Sequence, residues 1–226
     1  MKPVASFFIL TILTALSVSA QGPTRASVLA TGTASVSVTP DQAQINVSAV
    51  TQAATAQDAT SQNATIAANI IAQVTQAVGG SGRVQTVNYS VSPVYSSQGG
   101  TTVLTGYSVT NSIQVTLSDL TITGKIIDTA VQAGASRIDS LQFSLKDDST
   151  ARAQALSAAT VKAKAKATAM ATSVGLKAGA FITIQESGAV VQAVTLAGTA
   201  PGATTPIQAG NLTVTGNVTI SMDLVP

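Results

Sequence analysis

Cysteine, histidine and tryptophan are all missing from this 226-residue sequence, and glutamate occurs once, as Glu186. Without histidine there is no imidazole to activate a serine or cysteine, so Ser-His-Asp and Cys-His catalysis are excluded. Without cysteine there are no thiolates, no disulfides and no Cys-ligated zinc. Charged residues make up 9% of the chain and aromatic residues 3%, against about 25% charged in an ordinary soluble domain. Proton transfer would have to rest on eight Asp and seven Lys.

Those residues are not arranged for chemistry. The one adjacent carboxylate pair, Asp147-Asp148, stands where a helix is predicted to begin, and capping accounts for it. No Ser-x-x-Lys occurs, and Gly124-Lys125 lacks the upstream glycine of a phosphate-binding loop because position 119 is Asp. No stretch carries the closely spaced carboxylates of a divalent-ion loop. Lys125 and Asp128 are the least poor candidates for an unrecognised enzyme, and they read as an exposed i, i+3 pair. The expectation is a non-enzymatic protein with no catalytic, cofactor-binding or metal-binding residues.

Charge also limits the partners. The net charge is +2. The densest cationic group is Lys162, Lys164 and Lys166, whose spacing turns successive side chains about 200° apart on a helix and so makes no stripe. Nucleic-acid binding is therefore not expected. A near-neutral surface offers little repulsion against association, which points to a homo-oligomer.

Residues 1–20 read as a secretory signal peptide. Lys2 supplies the positive start, Val4 to Leu16 is mostly apolar but shorter than the about 20 residues of a membrane span, and Val18-Ser19-Ala20 fits a cleavage site. Cleavage after Ala20 would leave a single domain over residues 21–226, periplasmic or secreted, with no transmembrane span.

Two periodicities alternate in that domain. Ala34–Val38 and Ile45–Val50 have apolar residues mostly at every second place and predict strands. Ile66, Ile70, Val74 and Val78 recur every four, the spacing of one face of a helix over 54–78, and Gly79-Gly80-Ser81-Gly82 stops it. Val84–Val94 predicts a strand with Val87, Tyr89 and Val91 on one face. The run from Val103 to Leu117 could reach roughly 50 Å, either as a continuous hairpin arm or with a bulge near Gly106. A second helix is predicted from Ser118 or Asp119 to Gly134, with Leu120, Ile126, Ile127 and Val131 inward, then a strand over Ile138–Leu145. Strand, helix, strand thus occurs twice, at about 43–94 and 107–145. The longest helix follows Asp147-Asp148-Ser149 and ends at Gly175. A short strand at Phe181–Gln185, a loop at 195–210 and a regularly alternating strand from Leu212 to Leu224 complete the reading.

Several ordered blocks resemble one family. Ala30-Thr-Gly-Thr-Ala-Ser-Val-Ser-Val-Thr-Pro-Asp41, Thr105-Gly106-Tyr107-Ser108-Val109-Thr110-Asn111-Ser112, Ser118-Asp119-Leu120, Gly124-Lys125-Ile126-Ile127-Asp128, Ala133-Gly134-Ala135 and Pro206-Ile207-Gln208-Ala209-Gly210 are similar to segments of the SIMPL-domain family. These are exported bacterial proteins that include periplasmic immunogenic antigens and an oxidative-stress-defence protein. The resemblance implies an α+β fold with two βαβ-like lobes, long antiparallel strands and a long helix in the C-terminal half. It also implies ring-like or channel-like oligomers in some members, and no catalytic residues to transfer. Gly32, Gly106 and Tyr107 are expected to shape or pack the strands, and Asp119 to cap a helix. The functional expectation is an exported cell-envelope protein acting by self-association or by binding an envelope component, in stress defence. The alternative is an outer-membrane barrel or pore, against which stand four Phe, three Tyr and no Trp, too few for aromatic girdles.

Overall fold

The computed structural model describes residues 25–98, 100–193 and 207–226. The predicted leader over 1–20 and most of the predicted loop at 195–210 lie outside them. Among the described residues seven strands and three α-helices run in the order β1 (Ser27–Val38), β2 (Gln42–Ala53), α1 (Ala56–Val78), β3 (Gly82–Gln98), β4 (Thr101–Leu117), α2 (Thr123–Gln132), β5 (Arg137–Ser144), α3 (Ser149–Ser173), β6 (Lys177–Ala193) and β7 (Leu212–Val225). The fold is α+β.

The two β-α-β units interleave in one antiparallel sheet of order β3-β4-β2-β5. β4 lies between β2 and β3, and β2 lies between β4 and β5, the split arrangement of a β-α-β-β-α-β motif. Its core is aliphatic: Ile45, Val47, Ile113, Val115 and Leu117 from the sheet meet Ile70, Val74 and Val78 of α1 and Ile126 of α2. The predicted α1 stripe is thus the packing face. Its N-terminus is held by Thr55, whose hydroxyl accepts from the Asp58 amide at 3.1 Å and donates to the Asp58 carboxylate at 2.7 Å. Val131 corrects the expectation for α2. It is 52% exposed, because it sits roughly a quarter-turn from the face made by Thr123, Ile126 and Ala130.

The second sheet has the order β1-β7-β6, with α3 on one face. β1 and β7 pair over twelve residues, from Ser27 opposite Asp223 to Val38 opposite Leu212. Their other face carries hydroxyl and amide ladders: Thr31 to Thr219 at 3.0 Å, Thr33 to Asn217 at 2.7 Å and Ser35 to Thr215 at 2.9 Å. β1 begins seven residues before the predicted strand; its inward positions there are Val28, Ala30 and Gly32, and the exposed Leu29 between the first two masks the alternation. β6 spans 17 residues rather than five, since three register shifts break its alternation.

α3 buries only alanine: Ala151, Ala155, Ala159, Ala163, Ala167 and Ala171, one per turn. The small side chains let helix and sheet backbones approach closely. At Gly32 an added Cβ would lie 2.0 Å from the Ala159 carbonyl oxygen, and at Gly216 it would lie 2.8 Å from the Ala155 carbonyl carbon. Gly32 therefore sits where helix and sheet backbones meet. The helix ends in a Schellman turn, with Gly175 at φ 76° and the Leu176 amide donating to the Ala171 carbonyl at 3.0 Å. At its start Asp147 accepts from the Ser149 amide at 2.9 Å, while Asp148 pairs with Arg152 at 2.7 Å.

Both sheets are open, with edges at β3, β5, β1 and β6. No barrel closes among the described residues, so the barrel alternative is not favoured. Ile207, just before β7, packs against the core of the first sheet and ties the two parts together.

Candidate functional site

The feature that stands out is the hairpin of β3 and β4. The strands pair from Gly82 opposite Leu117 to Gln98 opposite Thr101, whereas β2 accompanies β4 only as far as Tyr107. Beyond that point, among the described residues, 94–98 and 101–106 have no strand partner but each other. Continuous arm and bulge are both present: Thr105 is the extra residue between Gly106 and Leu104, and its hydroxyl closes the irregularity by donating to the Val94 carbonyl at 3.0 Å.

Gly106 and Tyr107 sit together at the base of the arm. A Cβ on Gly106 would lie 2.6 Å from the Ala53 carbonyl oxygen, so glycine is what lets the last turn of β2 press against β4. Tyr107 lies opposite both Ala53 and Pro93. Gln52, Ala53, Val94, Thr105, Gly106 and Tyr107 line an open dent of ≈ 220 Å³. Gly32 is elsewhere, beneath α3, and Asp119 is at the far end of β4, so the four residues singled out in the sequence do not form one site.

Asp119 caps a short 3-10 turn at Leu120–Ile122 rather than α2 itself, whose first turn has no side-chain cap. Its carboxylate accepts from the Thr121 hydroxyl at 2.6 Å and amide at 3.0 Å. The hydroxyl bond, then the amide bond, hold its pKa below the ordinary carboxylate value. A value depressed by folding means the bond's contribution is present above the unfolded pKa and lost as pH falls through the folded one. Carboxyl NMR titration is expected to place Asp119 below the ordinary range of about 3.9, and Thr121→Val to move it upward. An unmoved midpoint would contradict this assignment.

The hairpin exposes many of its large side chains. Tyr89 is 50% and Tyr95 59% exposed, and Val87, Val91, Val103 and Leu104 are exposed as well. Tyr89 and Val91 do share a face, opposite Asn111 and Val109, but β3 lies at the sheet edge and nothing in the described residues covers it. Val87 is the extra residue of a second bulge. Across both strands the one charged residue is Arg83, at the root.

One polar cluster was not legible beforehand. Buried Ser48 on β2 donates to Asp139 on β5 at 2.5 Å and bonds Ser112 on β4 at 2.9 Å, while Arg137 bonds the other Asp139 oxygen. It joins three strands that are far apart in sequence. It contains no imidazole or amine poised to accept a serine proton, and reads as a brace.

Among the described residues no helix is long and apolar enough to cross a membrane, and no group of three potential metal ligands occurs. A family model described as SIMPL, protein of unknown function (DUF541), matches residues 28–222. A comparison with curated proteins finds no match. That match runs from the second residue of β1 to the late part of β7 and so takes in both sheets and all three helices; the chain belongs to the SIMPL family.

Proposed function

We propose that this protein is exported to the cell envelope and acts there without catalysis, by associating with further copies of itself through the β3–β4 hairpin. The observation that carries this reading is an exposed edge strand bearing Tyr89, Val91 and Tyr95 and, beyond Arg83, no charge. Proteins that remain single guard such edges with lysine, proline, bulges, inward charges or short strands; β3 is 17 residues long and has no lysine, and its guards are Pro93 and two bulges. An envelope component as partner is the second arm of the expectation, and a role in stress defence would follow from whichever assembly forms.

Light scattering coupled to size exclusion tests it. The protein, purified after expression from the full coding sequence, is expected to have a mass of at least two chains at micromolar concentration. Replacing both Tyr89 and Val91 with lysine should weaken assembly at least tenfold, about 1.4 kcal/mol. A monomer at all concentrations would overturn self-association.

A further inference from the structure

The positive charge of the chain is gathered on and just after α3. From Ser149 to Gln185 there are five cations and no acid, whereas the rest of the sequence holds six cations and nine acids. Arg152 pairs with Asp148, but Lys162, Lys164 and Lys166 are joined to no acid among the described residues. The packing of α3 decides where those three point. It buries one alanine per turn, at 155, 159, 163, 167 and 171. The residue before each alanine therefore lies on one flank, the residue after it on the other, and the second residue after it points almost straight out. Lys162 and Lys166 share the first flank, which faces β1, since the Lys166 ammonium donates to the Thr31 carbonyl at 3.0 Å. Lys164 is on the other flank, toward β6. Between them runs a crest without charge, Val161, Ala165 and Ala169, all exposed. The three lysines make no stripe, as their spacing dictates; they straddle the crest.

Beside Lys164 the surface turns apolar. Phe181 and Ile184 lie opposite Met222 and Ile220, which are buried beneath α3, and so they stand on the same side of the sheet. They remain 43% and 57% exposed because α3 rests chiefly on β1 and β7 and covers little of β6. The one acid of β6 is Glu186, opposite Val218. We propose that the outer face of α3 and this strip of β6 dock on a lipid surface bearing anionic headgroups. Lys162, Lys164 and Lys166 reach the headgroup charge, while Val161, Phe181 and Ile184 enter the interface. Two features select that occupant. Lysines on both shoulders of an uncharged crest can lay their stems along the interface and keep their ammoniums in the headgroup layer. The exposed ring and aliphatic side chains next to them have a place in a lipid interface, whereas a soluble polyanion would engage the cations alone. Each lysine held near such a surface raises affinity about fivefold. This face is separate from the β3–β4 hairpin, and the inference does not depend on self-association.

Co-sedimentation with vesicles tests it, on the protein purified as above and in about 0.1 M salt. Vesicles of equal parts phosphatidylglycerol and phosphatidylcholine are expected to carry the protein down, and vesicles of phosphatidylcholine alone to leave it in solution. Lys162→Gln combined with Lys164→Gln should weaken binding by about tenfold or more. Lys125→Gln, which removes an exposed cation of α2, should leave it unchanged. Phe181→Ser should weaken binding to the anionic vesicles by about fivefold and leave binding to heparin, a soluble polyanion, as it was; Ile184→Ser makes the same test if Phe181→Ser does not fold. No sedimentation with the anionic vesicles would overturn the inference. So would a Lys125→Gln variant weakened as much as Lys162→Gln, since net charge rather than this face would then be at work. Apolar variants that bind vesicles as the wild type does would assign the lysines to a soluble polyanion and overturn the lipid reading. Light scattering without vesicles reads self-association separately.

Discussion

Gly32→Ala is expected to cost at least about 3 kcal/mol of stability, the upper end of what overpacking usually costs. The reason is what the new methyl meets: the Ala159 carbonyl oxygen at 2.0 Å, the Ala163 nitrogen at 2.5 Å and the Ala163 Cα at 3.0 Å. All three are backbone, so no rotamer change relieves the clash. α3 must move off the sheet as a body, and the contacts of Ala155, Ala159, Ala163 and Ala167 with β1 and β7 loosen together. Trimming the facing alanines to glycine would not rescue the variant, because the obstruction is main chain. Gly216→Ala, whose nearest contact is 2.8 Å, should cost less. Urea unfolding measures both, and a midpoint for Gly32→Ala within error of wild type would contradict the close helix–sheet contact.

Ile113→Ala is the second large effect, expected at about 2–5 kcal/mol for a fully buried aliphatic cut back to Cβ. Ile113 is completely buried on β4, opposite Val47 and Thr86, in the cluster that holds α1 and α2 to the first sheet. Its cluster shares no residue with the alanine-lined cluster around Gly32. The two substitutions should therefore add to within about 0.5 kcal/mol in a double variant. A larger interaction energy would show the two cores to be coupled.

Much of the fold was legible where burial follows a simple rhythm. α1 repeats every three to four residues and β7 every two, and each packs on the face its spacing indicates. Legibility failed for three physical reasons. Small residues carry no hydropathy signal, which left the packing face of α3 looking like nothing more than good helix-forming composition. Bulges reset the period of two, which shortened β6 in the reading and separated Val87 from Tyr89 and Val91. Strand order is non-local: that Tyr89 and Val91 lie on an edge depends on β4 entering between β3 and β2, and that Ser48 meets Asp139 depends on β5 lying beside β2. Gly106 and Tyr107 could be located from the sequence, but the open surface beside them could not.

The pairing of β1 with β7 constrains when the molecule can be finished. Thr31 and Thr219, partners across that ladder, are 188 residues apart. β7 is also the central strand of its sheet, the one to which both β1 and β6 attach. A growing or translocating polypeptide can complete the four-stranded sheet early, but β1 must wait for its strand partner until β7 emerges. Contacts of such separation are slow to form and leave intermediates adhesive. Partial chains stopping short of Leu212 would thus be natural clients for a holdase and ready targets for a protease, making the fourteen-residue β7 a late checkpoint on folding as well as a structural element.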